Sequence, residues 1–450
     1  MVDKRWLTAQ AKKVRRVDWI DPSLYRRYGV KRGLRNDNGT GVLVGLTTIG
    51  NVHGYVMNEG DKQPIPGELY YRGINVEDIV AADRREHRFG YEETAYLLLF
   101  GELPTARQLV DWKNKVGSYR KLSDGFKENA IMRNPPKELM NALARAVLFA
   151  YAFDPEDDPD DLSLEKCLEQ SIDLIGSLPT IAAYAYQAKI HYHGGASLML
   201  RNADPKKSTA ENILMLTRED GRYTRLEAET LDLALILHAE HGGGNNSSFT
   251  THVVTSSHSD IYSSVAASIL SLKGSRHGGA NLRVMRQMEE IVANVKDWQK
   301  PAHVVRYLER IADRKAGDGT GLIYGLGHAV YTISDPRAQM LKRKAEALAR
   351  EKGREAEMRL FEMIEELGPD VIRARHKSAT DVCANVDLYS GFVYAMLGIP
   401  KDLYTPLFAI ARCVSWCAHR MEELVNEGPI IRPAYKPIFH PKAYVRLADR

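Results

Sequence analysis

At 450 residues the chain is too long for one ordinary hydrophobic core, so two domains are expected. Its 44% apolar and 27% charged residues are those of a globular protein in water. A net charge of +4 spread over so large a surface argues against a nucleic-acid binder and leaves room for a local basic pocket, and no apolar run approaches the roughly 18 residues of a membrane span.

In chain order, the first residues are basic, with Lys4, Arg5, Lys12, Lys13, Arg15 and Arg16. Asp3 and Asp18 and a shortage of serine argue against a transit peptide, and a cytoplasmic location is expected. Residues 42–57 are rich in β-branched side chains and broken by Gly50-Asn51, which predicts a small β-hairpin. Helical periodicity then dominates, over 91–100, 105–119, 137–151, 164–175, 180–191, 209–216, 225–239, 260–272, 281–295, 302–312, 336–351, 355–367, 389–397 and 406–425. The fold class is mainly α. Leu231 to Leu237 and the small-residue run Ser263 to Ser271 lack a normal polar face, so packed helices or a subunit interface must cover them. Cys167, Cys383, Cys413 and Cys417 have neither the density nor the spacing of a disulfide framework and read as buried reduced thiols.

Three lone reactive side chains stand in glycine-rich or helix-starting sequence: His277 in LKGSRHGGAN, His328 in GLGHAVY and Asp387 in NVDLYSG. A carboxylate can remove a proton beside a carbonyl while imidazoles hold or protonate the oxygens where charge builds up, with no metal or cofactor required. Asp335-Pro336 caps a helix whose first turn carries Arg337, a good place for a carboxylate, although a capped helix with a surface arginine fits as well. Arg412 interrupts an apolar run, so it either pairs with an internal acid or binds an anionic substrate. His238 and His241 are spaced i,i+3 but lack the pattern of a zinc site, and Gly317-Asp-Gly-Thr-Gly321 lacks the strand a dinucleotide loop needs.

The order of HAEHGG, LKGxxHGGAN, GHAV followed by DPR, and NVDxxSG, between Gly67 and Pro433, resembles the citrate synthase family. The resemblance implies a two-domain helical fold, with a large domain at 1–280 and 396–450 and a small one at 281–395 that closes near Gly278-Gly279 after oxaloacetate binds. It implies that His277 holds the thioester oxygen of acetyl-CoA, that Asp387 takes the methyl proton, and that His328 polarises and then protonates the ketone oxygen of oxaloacetate. His241 and Arg337 would hold the oxaloacetate carboxylates, Arg412 would join them on citrate, and Arg432 would come from the neighbouring subunit of a homodimer. Arg375 and Lys377, in a stretch only loosely similar to the family's lysine- and glycine-rich approach, would contact the phosphates or pantetheine of coenzyme A. Ala329 departs from the arginine that many bacterial members carry after this histidine. A 2-methylcitrate synthase using propionyl-CoA would share all these residues, whereas a non-catalytic acyl-CoA or dicarboxylate binder would be expected to lose one of the three reactive side chains. The implied chemistry uses no metal or cofactor.

Overall fold

The computed structural model describes residues 3–59, 61–154, 158–375 and 382–450. The chain divides into two compact units, Met1–Leu46 and Thr47–Arg450. In the first, α1 (Lys4–Val17) is capped by the Asp3 carboxylate and α2 (Pro22–Arg27) by Asp21. The periodicity reading found neither helix, and α1 buries none of its residues, so there is no core face to recognise.

The second unit opens with an antiparallel sheet of β1 (Gly50–Asn58), β2 (Asp61–Tyr71) and β3 (Ile74–Asn75). The expected hairpin is present but displaced: Gly50 pairs with Tyr71 and Asn58 with Asp61, so Gly50-Asn51 begins the first strand instead of turning it. Gly50 lacks a side chain for another reason. A Cβ there would lie 2.6 Å from Cγ of Glu240, which needs that space.

Fifteen helices follow among the described residues. They are α3 (Val76–Arg85), α4 (Tyr91–Phe100), α5 (Ala106–Ser118), α6 (Leu139–Ala150), α7 (Leu164–Gly194), α8 (Thr209–Thr217), α9 (Arg225–His238) and α10 (Asn246–Thr255). The remainder are α11 (Ile261–Lys273), α12 (Ala280–Asn294), α13 (Pro301–Ala312), α14 (Pro336–Lys352), α15 (Glu355–Arg375), α16 (Val386–Met396) and α17 (Tyr404–Asn426). The fold is therefore mainly α with a small sheet, as expected.

Three expectations fail on local grounds. The segments 164–175 and 180–191 are one helix, α7, which runs through Pro179 because residues 174–185 are buried on every side and packing outweighs the lost hydrogen bond. Helix α15 likewise passes Pro369 and ends at Arg375. Helix α10, NSSFTTHVVT, was missed because its serines, threonines and valines favour helix weakly; it forms where it packs on α11 and α17. Burial follows expectation along α9, where Leu231 to His238 are all buried, but Leu270 on α11 is 44% exposed. The four cysteines are free and buried, and no helix among the described residues is long and apolar enough to cross a membrane.

Candidate active site

Four loop-to-helix junctions carry the side chains of the site. Helix α9 ends on His238 and the turn after it holds His241, the turn after α11 holds His277, the loop before α14 holds His328, and the start of α16 holds Asp387. Backbone pairing joins the last two: Leu326 and Ala384 form an isolated antiparallel bridge, Gly327 N–H donates to Cys383 O at 2.8 Å, and Asn385 Nδ2 donates to Gly327 O at 2.8 Å. Asn385 also caps α16 by accepting the N–H of Asp387 at 3.0 Å. The sheet supports the same loop. Gly67 N–H donates to Ser334 Oγ at 3.1 Å, Tyr331 Oη donates to Glu68 O at 3.1 Å, and a Cβ on Gly67 would fall 2.2 Å from Ser334 O.

The hydrogen bonds fix which ring nitrogen carries the proton in two histidines. His328 Nδ1 accepts the backbone N–H groups of Val330 and Tyr331, each at 3.1 Å, so the neutral ring holds its proton on Nε2. His277 Nε2 accepts the N–H of Ser247 at 3.3 Å, in the first turn of α10, which leaves the proton on Nδ1. Burial, with Arg412 adding to it, pushes His277 down to about 4, so the ring is a neutral donor at physiological pH. His241 is driven well below the ordinary histidine value by burial and then by Arg337, His328 and Arg412. Its ring lies edge-on to His328, with centroids 5.0 Å apart, and Tyr331 stacks on His328 at 4.7 Å.

Arg337 and Arg412 are both buried, at 4% and 2% exposure, but their surroundings differ. Arg337 Nε and Nη2 donate to the two oxygens of Asp335 at 3.0 and 2.8 Å, a bidentate pair. Burial works against this cation, but Asp335 outweighs it and holds the guanidinium above its ordinary value. Arg412 has no carboxylate within ion-pair distance among the described residues. Its Nε donates to His238 O at 3.0 Å, its guanidinium lies 4.5 Å over the Phe408 ring, and Nη2 is buried without a hydrogen-bond partner. Burial lowers Arg412 to about 10, which leaves it charged at neutral pH. His241 Nε2 is likewise buried without a partner. Asp387 is pushed up to about 6 by burial, against the pull of Arg337 and Arg412.

The electrostatic field of Arg412 thus reaches His277, His241 and Asp387, and that of Arg337 reaches His241 and Asp387, which brings six of the nine expected residues together: His241, His277, His328, Arg337, Asp387 and Arg412. Arg432 stands apart, exposed in the extended stretch after α17. Arg375 closes α15 in ion pairs with Glu309 and Asp313, both at 3.2 Å, and Lys377 lies outside the described residues. Sequence reasoning missed the reach of Asp335. Beyond capping α14 it accepts the N–H of Val386 at 3.2 Å, tying the arginine to the helix that carries Asp387. Ser247 and Tyr331 were also missed as partners of the reactive histidines, since nothing local marks residues that meet only through the fold.

Two neutral histidine donors, a carboxylate raised towards neutrality and a buried arginine with a spare donor are groups that can move a proton and hold a small anion. The model of the citrate synthase C-terminal domain matches residues 38–434. Citrate synthase of Haloferax volcanii is 35% identical over 415 residues, 90% of this chain and 94% of that one. 2-Methylcitrate synthase 1 of Corynebacterium glutamicum is 32% identical, with 90% and 94% covered. Among solved structures, the ternary complex of carboxymethyl coenzyme A and oxaloacetate with citrate synthase from Thermoplasma acidophilum superposes with a TM-score of 0.76 at 27% identity, over 94% of this chain and 99% of that one. The chain belongs to the citrate synthase family, which are acyltransferases.

Proposed function

We propose that the chain condenses acetyl-CoA with oxaloacetate and water to give citrate and coenzyme A. The observation that carries this reading is the pair of buried, partnerless polar atoms, Arg412 Nη2 and His241 Nε2, beside Arg337 and Asp387. They suit the carboxylates of a small dianionic oxo-acid. In this reading Asp387 takes a proton from the methyl group while His277 Nδ1–H donates to the thioester oxygen, forming an enol or enolate. Its carbon attacks the ketone of oxaloacetate, whose oxygen takes the proton of His328 Nε2–H and stays as the hydroxyl of citryl-CoA. Water then cleaves the citryl thioester, releasing coenzyme A as the thiol. A thioester α-proton is too weakly acidic for a carboxylate alone, so the preplaced donors and a water-poor site supply the difference.

The dry site calls for closure of residues 281–395 over the remainder, with oxaloacetate bound first. A cytoplasmic homodimer with Arg432 crossing to the partner's site completes the proposal. The dimer is supported by the exposure of Arg432 and by the exposed Leu148, Val253 and Leu270 on α6, α10 and α11, where α11 packs on both of the others. Arg375 is already paired in this chain, so it would have to leave Glu309 and Asp313 to reach coenzyme A.

A second reading, 2-methylcitrate synthesis from propionyl-CoA, is favoured by the relative from Corynebacterium glutamicum. One methylene is worth only about 1–3 kcal/mol of discrimination, so the residues named above serve both substrates. Steady-state thiol release with each acyl-CoA and oxaloacetate separates the readings. A higher kcat/KM with propionyl-CoA overturns the first, and no thiol with either leaves a binding protein.

A further inference from the structure

A second cluster of histidines and carboxylates lies between α10 and α17, outside the residues that the proposed reaction uses. His252 comes from α10, and His419 and Glu422 come from successive turns of α17. His252 Nε2 and His419 Nδ1 face each other at 3.2 Å, and Glu422 Oε2 is 3.6 Å from the same His419 nitrogen. Four-coordinate zinc with bonds of about 2.0–2.2 Å keeps its ligand atoms roughly 3.3–3.6 Å apart; these two spacings are close to that, and all three atoms lie within 4.8 Å of one another.

The atoms around the cluster point the same way. A histidine that binds a metal through one nitrogen normally donates from the other to a carboxylate. His252 Nδ1 meets Glu423 Oε2 at 2.7 Å and His419 Nε2 meets Glu240 Oε2 at 3.2 Å, so both rings have that partner. Glu422 is anchored through Oε1, which accepts from Thr48 N and Oγ1 at 2.6 and 2.9 Å. Its Oε2 is buried and makes no hydrogen bond, on a side chain 10% exposed. Gly243 leaves one side clear: a Cβ there would stand 3.5 Å from His252 Nε2 and 3.2 Å from His419 Cε1.

We propose that His252, His419 and Glu422 bind one divalent cation of the zinc class through Nε2, Nδ1 and Oε2, fastening α10 to α17. Imidazole and carboxylate together suit zinc or cobalt better than magnesium or calcium. Binding displaces the hydrogen that otherwise bridges the two rings. Glu240 carries the effect onward, because its Oε1 accepts the Gly242 N–H directly after His241 and its backbone oxygen accepts from Tyr71 Oη at 3.3 Å. The ion would therefore stiffen the turn that presents His241 without touching the reacting atoms.

The test uses untagged full-length protein, stripped with a chelator and titrated with Co2+ and then Zn2+. One cobalt per chain should bind with the strong visible bands of a tetrahedral site, and zinc should bleach them. His252→Gln should abolish the bands while turnover stays within about threefold of the parent. Glu423→Gln, which removes only the outer carboxylate, should weaken binding by about ten- to a hundredfold. Absence of tetrahedral bands in the parent overturns the proposal, and so does a folded His252→Gln that keeps them. If His252→Gln does not fold, parent-like affinity in Glu423→Gln overturns it instead.

Discussion

Replacing Asp335 with asparagine probes the electrostatic frame of the site without touching a reacting atom. Asp335 is 1% exposed and accepts four hydrogen bonds, three of them from Arg337 and one from the Val386 N–H. Asparagine keeps the shape but removes the charge and turns one acceptor into a donor, which must face either the backbone N–H and Nε of Arg337 or Arg337 Nη2 together with the Val386 N–H. Breaking one side of a buried ion pair costs about 3–5 kcal/mol, and since asparagine keeps one acceptor the lower end applies, so a loss of about 3 kcal/mol is expected. The midpoint of denaturant unfolding should fall accordingly at unchanged slope. In catalysis the loosened guanidinium should raise KM for oxaloacetate by roughly ten- to a hundredfold, the equivalent of about 1.4–2.7 kcal/mol, with a smaller change in kcat. A variant that unfolds with the parent and keeps its KM within twofold would show that Asp335 does not hold Arg337 in place.

The carboxyl of Asp387, at about 6, predicts that kcat/KM for oxaloacetate falls tenfold per pH unit below about pH 6, because only the ionised form can take a proton. His277, at about 4, stays neutral through that range and does not shape the limb, so an inflection near 4 would sink the assignment of the base. Asp387→Asn should abolish turnover while oxaloacetate still binds, as judged by calorimetry. It should also unfold later than the parent above pH 6, where the buried ionised aspartate is a burden to the fold. Glu227 makes the opposite stability prediction. Burial alone would raise it, but Arg218, Lys352 and the Thr224 N–H outweigh burial and hold it at about 2. Its contribution, roughly 3 kcal/mol for a fall from 4.5 to about 2, is complete above pH 4.5 and lost as pH drops towards 2. Glu227→Gln should remove that part of the acid transition and lower the unfolding midpoint at pH 7; an unchanged midpoint refutes it.

Most helices were legible because their apolar stripe faces one core, and the candidate site residues stand out in the sequence because glycine turns and caps surround them. The proline-containing α7 and the serine- and threonine-rich α10 were not, since long-range packing overrides local preference in both. In the site, Arg412 could be recognised as anomalous but not resolved: only the fold shows that no carboxylate among the described residues forms an ion pair with it and that Nη2 is left without a partner. Asp335 could be read as a cap, but its bond to Val386, 51 positions away, has no local signal. His252 and His419 are separated by 167 residues and carry no shared motif.

The two arginines also bear on when the base becomes strong. Burial raises Asp387, while Arg337 and Arg412 hold it back. An oxo-acid dianion settling against those guanidiniums offsets their field, so the restraint on Asp387 weakens only once that substrate is in place. Closure would then remove the remaining water and strengthen the same effect. In the proposed ordered reaction, proton abstraction from acetyl-CoA is therefore tied to the presence of its acceptor, which limits wasteful enolisation. The acid limb of kcat, which reports the complex with both substrates, should lie above the limb of kcat/KM for oxaloacetate, which reports the enzyme before that anion binds. Coincident limbs would mean that the anion leaves Asp387 unaffected and that the coupling does not exist.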